Sequence, residues 1–216
     1  MKVLKSRCYG SIRGISLVFE DIISSDTINI VTTELETDYY GLERIKLQPT
    51  DTIIDIGGNI GMFSIYAKKK FGCKVIAFEP VLINYEQFKE NILLNGLSLD
   101  DIELHNVAIT DKEGEKINIY TPLNNTGASS EYTQNGIKSV CYTETLDKYI
   151  TEDCKYLKID CEGAEYMIIP SILNKINQFK HIGIEYHKLN SDQDPKALHK
   201  LLRNNFKGSI FFRNYE

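Results

Sequence analysis

Three short stretches of this sequence hold the side chains that can do chemistry. In Asp55-Ile-Gly57-Gly58-Asn59-Ile-Gly61 a carboxylate precedes a run of glycines. Glycine permits positive φ and close approach of a ligand to the backbone, and a helix start after it offers free N–H groups. In Phe78-Glu79-Pro80 one acid closes an apolar run; an acid so placed can accept hydrogen bonds from two adjacent sugar hydroxyls. In Asp160-Cys161-Glu162-Gly163-Ala164-Glu165, and again in Glu185-Tyr186-His187, acids and a histidine follow apolar runs. Carboxylates and imidazoles move protons, and histidine does so nearest neutral pH.

The glycine run fails the dinucleotide fingerprint Gly-x-Gly-x-x-Gly. Gly58 and Gly61 fill its last two places, but the first falls on Ile56. Asp55, inside the strand, would repel a pyrophosphate. It suits a ligand with a sulfonium and an ammonium group and no phosphate, which describes S-adenosylmethionine. The expected cofactor-binding residues are Asp55, Gly57, Gly58, Asn59 and Gly61 at the turn and Glu79 on the ribose, with Asn106, Val107 and Ala108 flanking the adenine.

Methyl transfer is an in-line displacement at carbon, so a protein mainly holds the nucleophile and removes its proton. A hydroxyl acceptor has a high pKa and needs a base or a metal. His187 is the expected base, with Asp160 and Glu162 positioning the methionine ammonium or the acceptor. A divalent cation gathered by Asp160, Glu162, Glu185 and His187 is the lesser reading, and no metal is expected. Glu165 either shares the side of the helix that Glu162 faces or complements the helix dipole. Cys161 lacks a neighbouring proline and is not expected to be a nucleophile. No Asn-Pro-Pro-Tyr motif is present, which argues against methylation of adenine or amide nitrogens.

These residues need a scaffold that brings strand ends together. Thr52 to Ile56 is β-branched almost throughout, as a strand buried on both faces requires. A helix is expected over Ile60 to Lys70 with Gly72 as its stop, a strand over Lys74 to Glu79, and a helix over Asn84 to Asn95 capped by Gly96. Asp101 to Val107, Tyr156 to Asp160 and His181 to His187 read as further strands, with a helix from Glu165 to about Leu173. Pro195 to Asn205 reads as a helix and Gly208 to Phe212 as a last strand. The alternation predicts an α/β fold with a parallel sheet and crossover helices. Glu115 to Tyr120 and Ile137 to Tyr142 read as strands around a polar loop, Asn124 to Ser130, suited to covering a site. Thr145 to Ile150 reads as a short helix.

Residues 1–47 are expected to form an N-terminal β-arm and helix packed on a main domain of residues 48–216. Ser16 to Phe19 and Thr27 to Val31 read as strands and Glu34 to Leu47 as a helix. No chemistry is legible there, and Tyr39 and Tyr40 read as packing residues.

Apolar residues make up 42% and charged residues 25%, an ordinary globular composition. A net charge of −5 argues against nonspecific nucleic-acid binding. No apolar run approaches the ~20 residues needed to span a membrane, and none near the start reads as an export signal. The five cysteines form no Cys-x-x-Cys pair, so reduced thiols in a cytoplasmic protein are expected. The expected partner is a small-molecule or glycan acceptor, with no nucleic acid and no membrane; the oligomeric state has no signature.

The chain resembles the FkbM family of S-adenosylmethionine-dependent methyltransferases from about Gly41 to His187. The resemblance rests on Asp55-Ile-Gly-Gly-Asn-Ile-Gly61, Phe78-Glu79-Pro80, Asn106-Val-Ala-Ile109, Gly127-Ala-Ser-Ser130 and Thr145-Leu-Asp147. It rests above all on Leu157-Lys-Ile-Asp160-Cys-Glu162-Gly163-Ala-Glu165. It implies a Rossmann-like class I methyltransferase fold, a mostly parallel twisted sheet of seven strands with helices on both faces. It also implies O-methylation of small molecules, sugars or polyketide-type metabolites. The chain departs from the pattern by ending soon after Phe212, so the terminal antiparallel strand pair is expected to be short. A non-catalytic S-adenosylmethionine-binding module is the main alternative, and a nicotinamide-dependent oxidoreductase a weaker one.

Overall fold

The computed structural model describes residues 4–122, 124–131 and 136–214. The expected covering loop, Asn124 to Ser130, is among the described residues, whereas Leu123 and residues 132–135 beside it are not. A hairpin opens the chain, β1 (Lys5–Ile12) and β2 (Ile15–Ile22), followed by helix α1 (Thr27–Glu36). Then come β3 (Thr52–Ile56), α2 (Met62–Phe71), β4 (Lys74–Phe78), α3 (Leu82–Leu94) and β5 (Ile102–His105). Three strands follow, β6 (Ala108–Thr110), β7 (Lys116–Thr121) and β8 (Ile137–Thr145). The chain closes with β9 (Cys154–Ile159), α4 (Glu165–Ser171), β10 (His181–Tyr186), α5 (Pro195–Asn205) and β11 (Ser209–Asn214).

The main sheet runs β11-β10-β9-β3-β4-β5, and every pairing in it is parallel. Strand residues alternate between two apolar layers, as the pleat dictates. Ile53, Val75, Ala77 and Tyr156 face a layer built from α1, α2, α3 and β2. Ile54, Ile76, Leu157, Ile182 and Ile184 face a layer built from α4 and α5. Strand order reverses between β3 and β9, and in open α/β sheets ligands bind in the crevice beyond the strand ends at that point.

The doubly covered parallel α/β sheet expected from the sequence is therefore present, with two differences. The described residues give it six strands, and β11 joins β10 in parallel where the resemblance implied an antiparallel pair. A separate three-stranded sheet, β6-β8-β7, stands beside it.

The N-terminal segment departs most. The expected strand at Thr27 to Val31 is the start of α1, and the expected helix from Glu34 ends at Glu36. Thr27, Ile28, Glu34 and Leu35 are buried, a helical spacing that packing imposes over the β preference of Ile and Val. Asp38 (φ 55°) and Gly41 (φ 72°) then turn the chain in left-handed backbone. The short helix expected near Leu146 is a single 3-10 turn, Leu146–Tyr149. The arm is fastened to α3 by side-chain amides. Asn95 Nδ2 donates to the Val18 carbonyl, and Asn91 Oδ1 accepts from the Glu20 amide at 2.8 Å.

Candidate active site

A large cleft lies beyond the C-terminal ends of β3, β4, β9 and β10, enclosing about 1340 Å³ with its open mouth included. One end is built on the turn after β3. Gly57 (φ 80°), Asn59 (φ 48°) and Gly61 (φ 90°) all adopt left-handed backbone. At Gly57 a Cβ would lie 1.8 Å from the Asp160 carbonyl oxygen, so only glycine fits between β3 and β9. Gly57, Gly58 and Asn59 line the cleft, whereas Gly61 packs under the Phe88 ring.

Glu79, at the end of β4, lines this same end. Its Oε2 accepts from the Asn59 amide at 2.8 Å and its Oε1 from the Val81 amide at 2.9 Å. Burial pushes its pKa up to about 7 despite these donors. Val107, Ala108 and Ile109 form an apolar wall beside it. Asn106, expected on the adenine, instead donates through Nδ2 to the carbonyls of Glu79 and Pro80, at 2.9 and 3.1 Å. It shapes the turn and does not line the cleft.

Asp55 is also displaced from its expected place. It is fully buried, accepts from Ser64 Oγ at 2.6 Å, and pairs with Lys158 Nζ at 3.2 Å. Lys158 sits beside it in register on β9. A lysine inside a strand buried on both faces must have a charge partner, and that requirement is the sequence signal for the pair. Lys158 also donates to the Gly57 carbonyl at 3.0 Å and lies 3.4 Å from Asp160 Oδ2. Burial opposes its charge, but Asp55 and Asp160 outweigh burial and raise its pKa. Lys158, not Asp55, faces the cleft.

The other end is acidic. Asp160, Glu162, Glu185 and Glu34 all line it. Tyr40 Oη donates to Asp160 Oδ2 at 2.9 Å and lies 3.4 Å from Glu185 Oε2. Glu162 occupies left-handed backbone at φ 51°, a strained state for a non-glycine residue that aims its carboxylate into the cleft. Burial pushes its pKa up to about 7; His187 opposes the shift, and Asp160 and Glu185 reinforce it. Asp160 moves the other way, since Lys158, His187 and the Tyr40 hydroxyl overcome burial and lower it.

His187 is only 6% exposed and does not line the cleft. Its Nε2 lies 3.8 Å from Asp160, 3.6 Å from Glu162 and 3.8 Å from Glu185, and its Nδ1 is 3.3 Å from Glu165 Oε1. Burial disfavours the imidazolium, but Glu165, Glu162 and Asp160 override it and push the pKa up to about 10. That shift favours the protonated ring at neutral pH. Glu165 is fully buried; it accepts from the His187 amide at 2.7 Å and the Gly163 amide at 2.9 Å. It locks the turn that carries Glu162. Asp160, Glu185 and His187 each bring one donor atom within 4.8 Å of the others, a spacing a cation could bridge.

The roof comes from the arm. Thr27, Ile30, Val31, Glu34 and Tyr40 line the cleft, together with Asn125, Gly127, Ser129 and Ser130. Nothing in the arm reads as chemistry in sequence. Only the spacing of Ile28 and Leu35, seven residues apart, hints that α1 has an inner face.

The FkbM methyltransferase domain matches residues 55–207, from within β3 to just beyond α5. This chain belongs to the FkbM methyltransferase family. Among its relatives, Methyltransferase 1 of Beauveria bassiana is 28% identical over 147 residues, 56% of this chain and 58% of that protein. Methyltransferase sdnD of Sordaria araneosa is 36% identical over 75 residues, 34% of this chain and 28% of that protein. The AMB antimetabolite synthetase AmbE of Pseudomonas aeruginosa is 31% identical over 84 residues, 38% of this chain and 4% of that protein. The chain thus matches little more than half the length of these relatives at most. Family membership identifies its sheet as a class I methyltransferase fold. Among the described residues no helix is long and apolar enough to cross a membrane.

Proposed function

We propose that this protein is a methyltransferase that uses S-adenosylmethionine and transfers the methyl group to a hydroxyl of a small-molecule or sugar acceptor. One observation carries the reading: the two ends of one cleft offer the two chemistries that the reaction needs. At the first end the Glu79 carboxylate stands beside the turn of Gly57 to Asn59 and the apolar wall of Val107 and Ala108, all lining the cleft. A nucleoside fits this donor and acceptor set, with its ribose hydroxyls on Glu79 and its base against the wall. When bound there, S-adenosylmethionine supplies a methyl carbon activated by a sulfonium.

At the second end Glu162 is the proton acceptor. Its pKa of about 7 matches the operating range of a general base. Asp160, held lower, stays ionised and orients Lys158 and Tyr40. Two neighbouring carboxylates with separated pKa values divide the roles of base and positioning group. His187 holds Asp160, Glu162 and Glu185 around one point and is a positioning residue, which moves the base from the histidine to Glu162. The step forms an oxygen–carbon bond, breaks the carbon–sulfur bond, and delivers the hydroxyl proton to Glu162.

The test is thermal melting with S-adenosylmethionine or S-adenosylhomocysteine at millimolar concentration, where binding to the folded state raises Tm by mass action. A rise of several degrees in the wild type, lost in Glu79→Ala, is expected. An unchanged Tm with both ligands would sink the reading.

A further inference from the structure

The covering loop sends one side chain across the cleft to the backbone of the base. Ser130 is 3% exposed, and its Oγ donates to the Glu162 carbonyl at 3.0 Å. The N–H of the same peptide, on Gly163, donates to Glu165 Oε2 at 2.9 Å. Both polar groups of the Glu162–Gly163 peptide are thus held. Rotation of this peptide is the movement that would release Glu162 from left-handed backbone at φ 51°. A residue in such a state stays there only while its surroundings over-determine it. The next peptide is held as well: the Gly163 carbonyl accepts from Gln193 Nε2 at 3.2 Å, and Gln193 Oε1 accepts from the Leu189 amide at 2.7 Å.

These three clamps come from different parts of the chain. Glu165 begins α4 and Gln193 lies just before α5, whereas Ser130 comes from the roof. Its backbone pairs with Tyr120 of β7 in both directions, at 2.9 and 3.1 Å. Earlier in the same loop the Thr126 carbonyl accepts from Asn84 Nδ2 at 3.1 Å, and that nitrogen also lies 3.4 Å from Glu79 Oε1. Ser129 Oγ donates to the same Thr126 carbonyl at 2.9 Å. The segment from Thr126 to Ser130 therefore meets the nucleoside end of the cleft at one of its ends and Glu162 at the other. A loop lifted away from Asn84 would carry the Ser130 hydroxyl off the Glu162 carbonyl.

Building on the proposed methyl transfer, in which Glu162 is the base, we infer that Ser130 is a positioning residue: the covering loop, once seated over the bound nucleoside, uses the Ser130 hydroxyl to fix the Glu162–Gly163 peptide. Ser130 touches neither the methyl donor nor the reacting hydroxyl and acts through Glu162. The base is then fully placed only when the methyl donor is in its site, which ties proton removal to an occupied cleft.

The experiment follows amide hydrogen exchange in the wild type, Ser130→Ala and Ser130→Thr, each with and without saturating S-adenosylhomocysteine. In the wild type the ligand should slow exchange about fivefold or more both in residues 124–131 and in residues 161–165. In Ser130→Ala the slowing should persist in the loop and vanish in residues 161–165, while calorimetric affinity for S-adenosylhomocysteine changes by about threefold at most. Ser130→Thr, which keeps the hydroxyl, should restore the response. A residue that merely fastened the roof would loosen both segments whether or not the ligand is present. If Ser130→Ala does not fold, Ser130→Thr against Ser130→Val makes the same comparison at equal volume. Ligand-induced slowing of residues 161–165 that survives loss of the hydroxyl overturns the inference, as does a wild type in which the ligand slows the loop alone. In both cases S-adenosylhomocysteine still binds and the proposed methyl transfer stands, whereas a wild type that does not bind it removes both.

Discussion

At Glu162 the backbone stands at φ 51° and the carboxylate shares its surroundings with Asp160, Glu165 and Glu185. Backbone and charge both oppose stability there, the pattern of a residue held for function. With a folded pKa of about 7 against a reference of 4.5, the folded protein binds the Glu162 proton more tightly than the unfolded chain. Stability from this group is therefore lost as pH rises from about 4.5 to 7. Glu162→Gln should accordingly melt higher than wild type at pH 8, by roughly 1–2 kcal/mol after allowance for partial exposure, and no higher at pH 4. Catalysis has the opposite requirement, since the base must be ionised. Wild-type kcat/KM should rise with pH and level off above about 7, and the variant should lose about 10²–10⁴-fold in turnover. Paired melting and rate profiles check both. A variant that is neither more stable nor less active would remove Glu162 from the role. The sequence marks Glu162 as a candidate, but only the fold shows that it faces the cleft while His187 is held charged behind it. Burial and partner charges come from β9, β10 and α4 together, and no spacing rule carries them.

Among the elements, the turn from β3 into α2 was legible because its restraints are local: β-branched residues, then glycines, then helix formers. The same holds for the strand ends at Glu79, Asp160 and Glu185. Glycines with similar backbone nevertheless do different work. Gly57 and Gly72 have φ of 80° and 69°. A Cβ on Gly72 would meet nothing within 4 Å, whereas one on Gly57 would strike the Asp160 carbonyl. Gly72→Ala should therefore cost only the left-handed penalty, about 1–2 kcal/mol. Gly57→Ala should pry β3 from β9 and yield little folded protein, or a protein without a nucleoside-induced rise in Tm. Denaturant midpoints of the two variants make the comparison, and near-equal losses would show that the turn tolerates the extra atom. The arm was misread for the complementary reason. Thr27 to Val31 has strand-like composition, and its helix exists because Ile28 and Leu35 find the shared apolar layer. Asn91 and Asn95, which clasp β2, look in sequence like ordinary polar residues of a helix surface.

Across the whole molecule, the cleft is closed where segments about a hundred residues apart meet. Thr126 is fully buried, and its Oγ1 donates to Asp21 Oδ2 at 3.1 Å and lies 3.0 Å from Thr27 Oγ1 and 3.2 Å from Ser25 Oγ. The Asp26 amide donates to the Asn124 carbonyl at 3.2 Å, and Asn84 Nδ2, which also reaches Glu79, donates to the Thr126 carbonyl at 3.1 Å. One threonine thus joins the arm, the covering loop and, through Asn84, the acid at the nucleoside end. Thr126→Val keeps the volume but leaves Asp21 Oδ2 without this donor, a loss of about 1–3 kcal/mol. Because the roof opens more easily than the sheet unfolds, that cost should appear first as local opening. Amides of Asn124 to Ser130 and of α1 should exchange faster, while those of β3, β4 and β9 keep their protection. Affinity for S-adenosylhomocysteine should fall about tenfold, since a roof that is closed part of the time binds in proportion to its closed fraction. Hydrogen exchange and calorimetric titration on one sample separate the possibilities. Faster exchange throughout the main sheet would mean that Thr126 supports global stability, and unchanged affinity with a loosened roof would mean that the arm does not cover the nucleoside.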